Sequence, residues 1–254
     1  MKNINQLTFT YKDIVMSYLS KKESIGWLMG LLLIWSPLVA QAIVKGSDPL
    51  NWPLQCAVVN YSPEEQALAR LPNLTPQQAT PEQLLAIKKI TEGPRGCIFG
   101  PFSVLLRSPE LLNRVQALGE YIRFQSQLPL QVREFAILIT GREVQAPYVW
   151  YIHEPIALRA GVSYETVMFL AKQQRPPHLT DDERLVYDFI NELHRTHMVQ
   201  DNTFLSIQQR FGDAGIVELT ALDSYFALLA QQLNIARTPV PEGVVLPFNP
   251  PWKP

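Results

Sequence analysis

A glutamate and a histidine on consecutive helices are the residues of this chain best placed to do chemistry. Between Leu130 and Gln145 apolar residues recur at helical spacing, and at about 100° per residue Glu134 falls inside the apolar stripe, between Leu138 and Ile137, with Glu143 on the opposite side. A carboxylate in such a stripe has its charged form disfavoured, which moves its pKa up toward the range useful for proton transfer. The same pattern also describes a structural glutamate tied to an arginine or a backbone donor. On the next helix His153 falls among Val149, Trp150, Ile156 and Ala157, again on an apolar face, as either a hydrogen-bonded core residue or a proton-transfer group. Pro155 removes the backbone donor that would meet the Tyr151 carbonyl, which predicts a kink and an open acceptor near His153. The helices join near Ala146-Pro147 as an antiparallel hairpin that turns both side chains toward one interior. Counted from that turn they are offset by roughly 7 Å at 1.5 Å per residue, so a water or substrate between them is expected rather than direct contact.

Other constellations are weaker. His194 and His197 could present two nitrogens to a metal, with Asp201 beyond. Arg195 stands between them and no third ligand follows at motif spacing, so a solvated helix end is expected and no metal. Arg95, in the turn Gly93-Pro94-Arg95-Gly96, could meet a substrate carboxylate in bidentate fashion, or tie the turn to a neighbouring helix. No GxSxG, P-loop or dinucleotide fingerprint occurs. Asn73-Leu74-Thr75 is a glycosylation sequon.

The elements that must position these groups are helices. Thr80-Pro-Glu-Gln83, Thr180-Asp-Asp-Glu183 and Ser62-Pro-Glu-Glu65 each place a capping oxygen three residues before an acid or amide, and Ser108 and Ser163 mark two further starts. Gly161 and Gly212 mark stops. The spacing predicts helices over 62–70, 81–92, 109–127, 130–145, 147–160, 164–174, 181–197, 202–211 and 214–236, with no convincing strand between them. Residues 62–238 thus form one all-α domain, flanked by an extended segment over 43–61 and a Pro-rich tail over 239–254.

Charge and cysteine usage narrow the partners. With 22 Lys+Arg against 23 Asp+Glu and a net charge of −1, the chain has no basic excess to neutralise a phosphate backbone, so nucleic acid is not expected. Residues 25–40 are an apolar run preceded by Lys21-Lys22 and followed by Ala40-Gln41-Ala42, the pattern of a secretory signal cut after Ala42. Residues 1–42 are therefore expected to leave an exported, periplasmic or secreted product without a stable membrane anchor, whether translation starts at Met1 or at Met16. The two cysteines, Cys56 and Cys97, would there be bridged or buried, and spacing does not decide which.

Glu134, eighteen intervening residues and His153 in WYIHEPIALRAGVS, preceded by GPRGCIFGPFSVLLRSPEL, resemble the carboxymuconolactone decarboxylase family, in the superfamily that also holds AhpD-like proteins. The resemblance runs from about Leu71 to Gly243. It implies an AhpD-like helical bundle built on helical hairpins, assembled as a homo-oligomer, a trimer or hexamer. It also implies decarboxylation or proton transfer on a small carboxylated lactone, without cofactor or metal. His153 would transfer the proton, Glu134 would orient it or relay a second proton, Arg95 would dock the carboxylate, and Phe102 and Trp150 would form apolar walls. A non-catalytic scaffold or binding protein on the same fold and a lactone hydrolase or isomerase are the alternative expectations. The peroxidase branch carries Cys-x-x-Cys before its histidine, where this chain has Ala146 and Val149, so thiol peroxidase activity is not expected. Val149 also stands where relatives of the long single-domain form often have Glu, which weakens the transfer of their mechanism.

Overall fold

Local signals start and stop the helices largely where the sequence places them. The computed structural model describes residues 63–74 and 76–253; the expected signal, the segment 43–61, the Ser62 cap and Cys56 lie outside the described residues. The unit carrying the site comprises the described residues up to Glu242 together with 246–253. Its helices are α1 (Pro63–Leu68), α2 (Pro81–Glu92), α3 (Pro101–Leu105), α4 (Pro109–Phe124), α5 (Leu130–Glu143), α6 (Pro147–Ala160), α7 (Tyr164–Ala171), α8 (Asp181–Thr196) and α9 (Asp201–Ala236). No strand occurs among the described residues, so the fold is all-α as expected. Thr80 and Thr180 make reciprocal capping boxes with Gln83 and Glu183, and the Ser163 hydroxyl accepts from the Thr166 amide.

One element departs from expectation. Helix α3 lies where the sequence predicts none; Gly100-Pro101 starts it, and all five of its residues are buried. At Gly212, where the sequence places a stop, the backbone does leave helical geometry, at φ 73°, ψ 177°, so α9 is two helical segments that meet at a kink. The positive φ there is open to glycine at little cost. Pro155 stands inside α6 without ending it.

The core is centred on α5, in which every residue from Glu134 to Gly141 is buried. A helix apolar on all sides needs partners on all sides. Helices α6, α7, α8 and α9 surround it, while α4 packs on α2, α3 and α9. Helix α6 returns along α5 after only Val144–Ala146, and at Gly141 a Cβ would come within 2.8 Å of Val149 Cγ1. Glycine at that position lets the two backbones approach closely. The 246–253 stretch covers the far side of α6, where Phe248 lies edge-on to Trp150 at 5.5 Å and the Arg142 guanidinium sits 4.4 Å above the Phe248 ring.

A polar brace joins three helices. His194 Nε2 on α8 lies 2.8 Å from Asp223 Oδ1 on α9, and Thr140 Oγ1 on α5 donates to the same carboxylate at 2.6 Å. His194 is thus turned inward, against the solvated position expected of it, while His197 closes α8 in the left-handed conformation. Among the described residues no group of three His, Cys, Asp or Glu could hold a metal ion. The hydrogen bond to Asp223 holds the His194 pKa above its usual 6.5, with burial opposing and the Asp223 and Glu143 charges assisting. A histidine whose pKa is raised on folding stabilises the fold fully below its unfolded value, and that contribution is lost as pH rises through the folded value. The melting-temperature gap between wild type and His194→Gln should therefore be largest below about pH 6.5 and shrink above it. A gap independent of pH from about 5 to about 9 would show that the imidazolium is not what Asp223 holds.

Candidate active site

Three buried side chains from three helices meet at one carboxylate. Glu134 on α5 is 1% exposed. Its Oε1 accepts from Arg123 Nη1 of α4 at 2.8 Å, and its Oε2 lies 2.7 Å from His153 Nδ1 of α6. The expected offset is thus closed by direct contact. The residues of the turn add little helical rise, so from the ends of α5 and α6 the mismatch is only about 4.5 Å, which two extended side chains span.

Charge states follow from the packing. Burial is the largest influence on Glu134 and pushes its pKa up, but Arg123, His153 and Arg133 together outweigh it and hold the carboxyl below its ordinary value. Of the two readings the sequence left open, the glutamate tied to an arginine is the one found, and the upward shift is not. For His153 burial dominates and lowers the pKa, against the Glu134 charge and hydrogen bond, which raise it. The pair is an ionised glutamate and a neutral imidazole. An ionised Glu134 needs a donor opposite Oε2, so the hydrogen sits on His153 Nδ1 and Nε2 is left with its lone pair. Arg123 Nη1 also approaches Nδ1 at 3.3 Å, but both nitrogens are then donors and Glu134 is what they share.

The array is held at its edges. Arg133 Nη1 donates to the carbonyls of Ile122 and Arg123 at the end of α4. Glu218 on α9 accepts from the Tyr121 hydroxyl at 2.6 Å, the Ser126 hydroxyl at 2.6 Å and the Gln127 amide at 3.1 Å, which ties the α4–α5 turn to α9. The His153 ring lies edge-on to Phe226 at 5.0 Å.

His153 and Arg123 border a cavity of about 40 Å³ that Arg95, Phe99, Phe102, Tyr148, Val149, Ile152, Tyr225 and Phe226 also line. Arg95 and Phe102 both line this cavity, with the Arg95 guanidinium 4.3 Å above the Phe102 ring. Burial lowers the Arg95 pKa to about 10, which leaves it a cation at neutral pH. Trp150 is not a wall of this cavity. It is fully buried on the other side of α6, where its indole N–H donates to Glu154 Oε2 at 2.9 Å. Relative to His153, Trp150 lies about 60° one way around the helix and Val149 and Ile152 about 40° and 100° the other way, the way the cavity lies.

Arg123, Tyr225 and Phe226 are the site residues that sequence reasoning missed. A signal existed for Arg123: it is the one charge among Leu112, Val115, Gly119 and Ile122 on the buried stripe of α4. Cys97 is disulfide-bonded, the state the sequence left open, and the chain's other cysteine, Cys56, lies outside the described residues.

Searches of the sequence against protein-family models and against curated proteins give no match. Solved structures do match by shape. The apo debrominase Bmp8 superposes with a TM-score of 0.54 at 15% identity, over 68% of this chain and 93% of that one. A cysteine-to-alanine variant of the same debrominase in complex with 2,3,4-tribromopyrrole gives the same score and identity, over 68% and 92%. A protein of unknown function from Agrobacterium tumefaciens, whose name refers it to the antioxidant defence protein AhpD, reaches a TM-score of 0.47 at 17% identity, over 54% and 94%. This chain and the debrominase share an all-α fold.

Proposed function

We propose that the protein is an acid/base enzyme of the AhpD-like and carboxymuconolactone decarboxylase superfamily, acting on a small carboxylated lactone by proton transfer and loss of carbon dioxide. One observation carries the reading: Glu134 fixes His153 through Nδ1, and the imidazole that retains a basic Nε2 borders a cavity flanked by arginines. A buried imidazole oriented by an ionised carboxylate is an arrangement that lets the ring accept and return a proton, because the carboxylate stabilises the imidazolium formed between the two steps.

The substrate binds as its carboxylate, and His153 Nε2 takes up a proton from solvent. The bond to the carboxylate carbon breaks, carbon dioxide leaves, and the electron pair moves into the unsaturated lactone carbonyl as a dienolate. The Nε2 proton is delivered to carbon and His153 is neutral again. Arg95 docks the carboxylate, and Phe102 holds the ring in an apolar setting. Thiol chemistry has no part in this scheme, since the described residues lining the cavity include no cysteine.

Incubation with a γ-carboxylated butenolide in D₂O should release carbon dioxide and place one deuterium on the product carbon for each molecule released, read by proton NMR. Neither release nor exchange at carbon would overturn the reading, and would favour a non-catalytic protein on this fold.

A further inference from the structure

The polar side chains that line the cavity are mostly donors. Among the described lining residues, Arg95 and Arg123 contribute only donors and no carboxylate faces the space, while His153 Nε2 is the acceptor of the acid/base step. Tyr225 on α9 adds a further donor. Its side chain lines the same cavity, it is 3% exposed, and its hydroxyl is buried without a hydrogen-bond partner. A buried hydroxyl that makes no bond is a cost to the fold, and phenylalanine would fill the same space without it.

Gly119 on α4 explains how the hydroxyl is seated. A Cβ built there would stand 1.9 Å from Tyr225 Oη and 2.6 Å from Arg95 Nη2. Both heads therefore lie side by side against bare backbone, and any side chain at 119 would displace them. The ring behind the hydroxyl is set edge-on to Phe226 at 5.4 Å, and Phe226 in turn meets His153, so the seat and the proton-transfer group share one aromatic row.

We propose that Tyr225 and Arg95, seated on Gly119, form an oxyanion subsite, and that the ligand it takes is a small flat monocarboxylate whose charged oxygen receives the Tyr225 hydrogen bond. The ligand's ring lies between Phe102 and Phe226, and its carboxylate oxygen supplies the acceptor that the Tyr225 hydroxyl lacks. This rests on the cavity being the substrate site, as in the proposed function, and adds the residue that selects for negative charge.

Binding separates the two ideas, because it needs no turnover. Furan-2-carboxylate is the probe and furan-2-carboxamide its neutral control, both measured by calorimetry on the full chain. The carboxylate should bind and the amide should bind at least tenfold more weakly. Tyr225→Phe should weaken carboxylate binding at least about tenfold, the range for a buried hydrogen bond to a charged group. The same variant should melt at or above the wild-type temperature, since it removes a hydroxyl that the fold does not use, whereas a structural hydroxyl would lower it. Gly119→Ala should also lose binding, since its Cβ would press on both heads. Absence of furan-2-carboxylate binding to wild type, equal binding by Tyr225→Phe, or a lowered melting temperature for that variant would each overturn the subsite. Failure of carbon dioxide release with carboxylate binding intact would remove the proposed reaction and leave the subsite standing.

Discussion

Replacing Arg123 with methionine should destabilise the fold by about 3–5 kcal/mol, the cost of breaking a buried pair from one side. Arg123 and Glu134 have side chains 5% and 1% exposed, so neither has water to fall back on. Without the guanidinium, burial dominates Glu134 and the carboxyl must take up a proton or draw one onto His153. The companion Arg123→Met/Glu134→Leu should recover a large part of the loss, because replacing both charges by apolar groups removes the desolvation penalty together with the attraction. Urea unfolding of the two variants measures both quantities. A single-variant loss below about 1 kcal/mol would mean that Arg123 does not carry the charge of Glu134.

The second large effect concerns chemistry. His153→Ala should lower decarboxylation of any carboxylated lactone that the wild type turns over by about 10²- to 10⁴-fold, the span typical of a positioned acid/base. Glu134→Gln keeps a hydrogen-bonding group beside Nδ1 and removes the charge. Because the ionised carboxylate raises the His153 pKa against burial and against Arg123, its loss should push that pKa further down. The alkaline limb of kcat/KM, above which His153 has lost its proton in the free enzyme, should then move to lower pH while kcat falls. Full activity in His153→Ala, or an unmoved limb in Glu134→Gln, would remove the pair from the reaction.

How much of this was legible beforehand depended on whether the information was local. The capping threonines act within four residues, so Thr80 and Thr180 marked α2 and α8 correctly. The apolar stripes of α5 and α6 placed Glu134 and His153 on buried faces, and the brief turn at 144–146 made them neighbours. A stripe reports that a residue is buried and not what it is buried against. For that reason the stripe could not choose between a raised and a paired Glu134: its partner comes from α4, eleven positions earlier, and only packing brings the two together. Trp150 failed for a related reason, since periodicity gives the width of an apolar face but not which half of it borders a cavity. Helix α3 escaped because a five-residue helix completes little more than one turn and leaves no period to read.

The contact among Arg123, Glu134 and His153 has a consequence for how such a sequence can change over generations. Arg123 and Glu134 are each tolerable inside the protein only because the other is there. A lineage that discards the arginine first must carry a stranded carboxylate, and one that discards the glutamate first must carry a stranded guanidinium. Single steps away from the array pass through poorly folding ancestors, whereas a paired step does not. The arginine and the glutamate are therefore inherited as a pair, so a descendant that had abandoned the reaction would still be held to both by the requirement to fold.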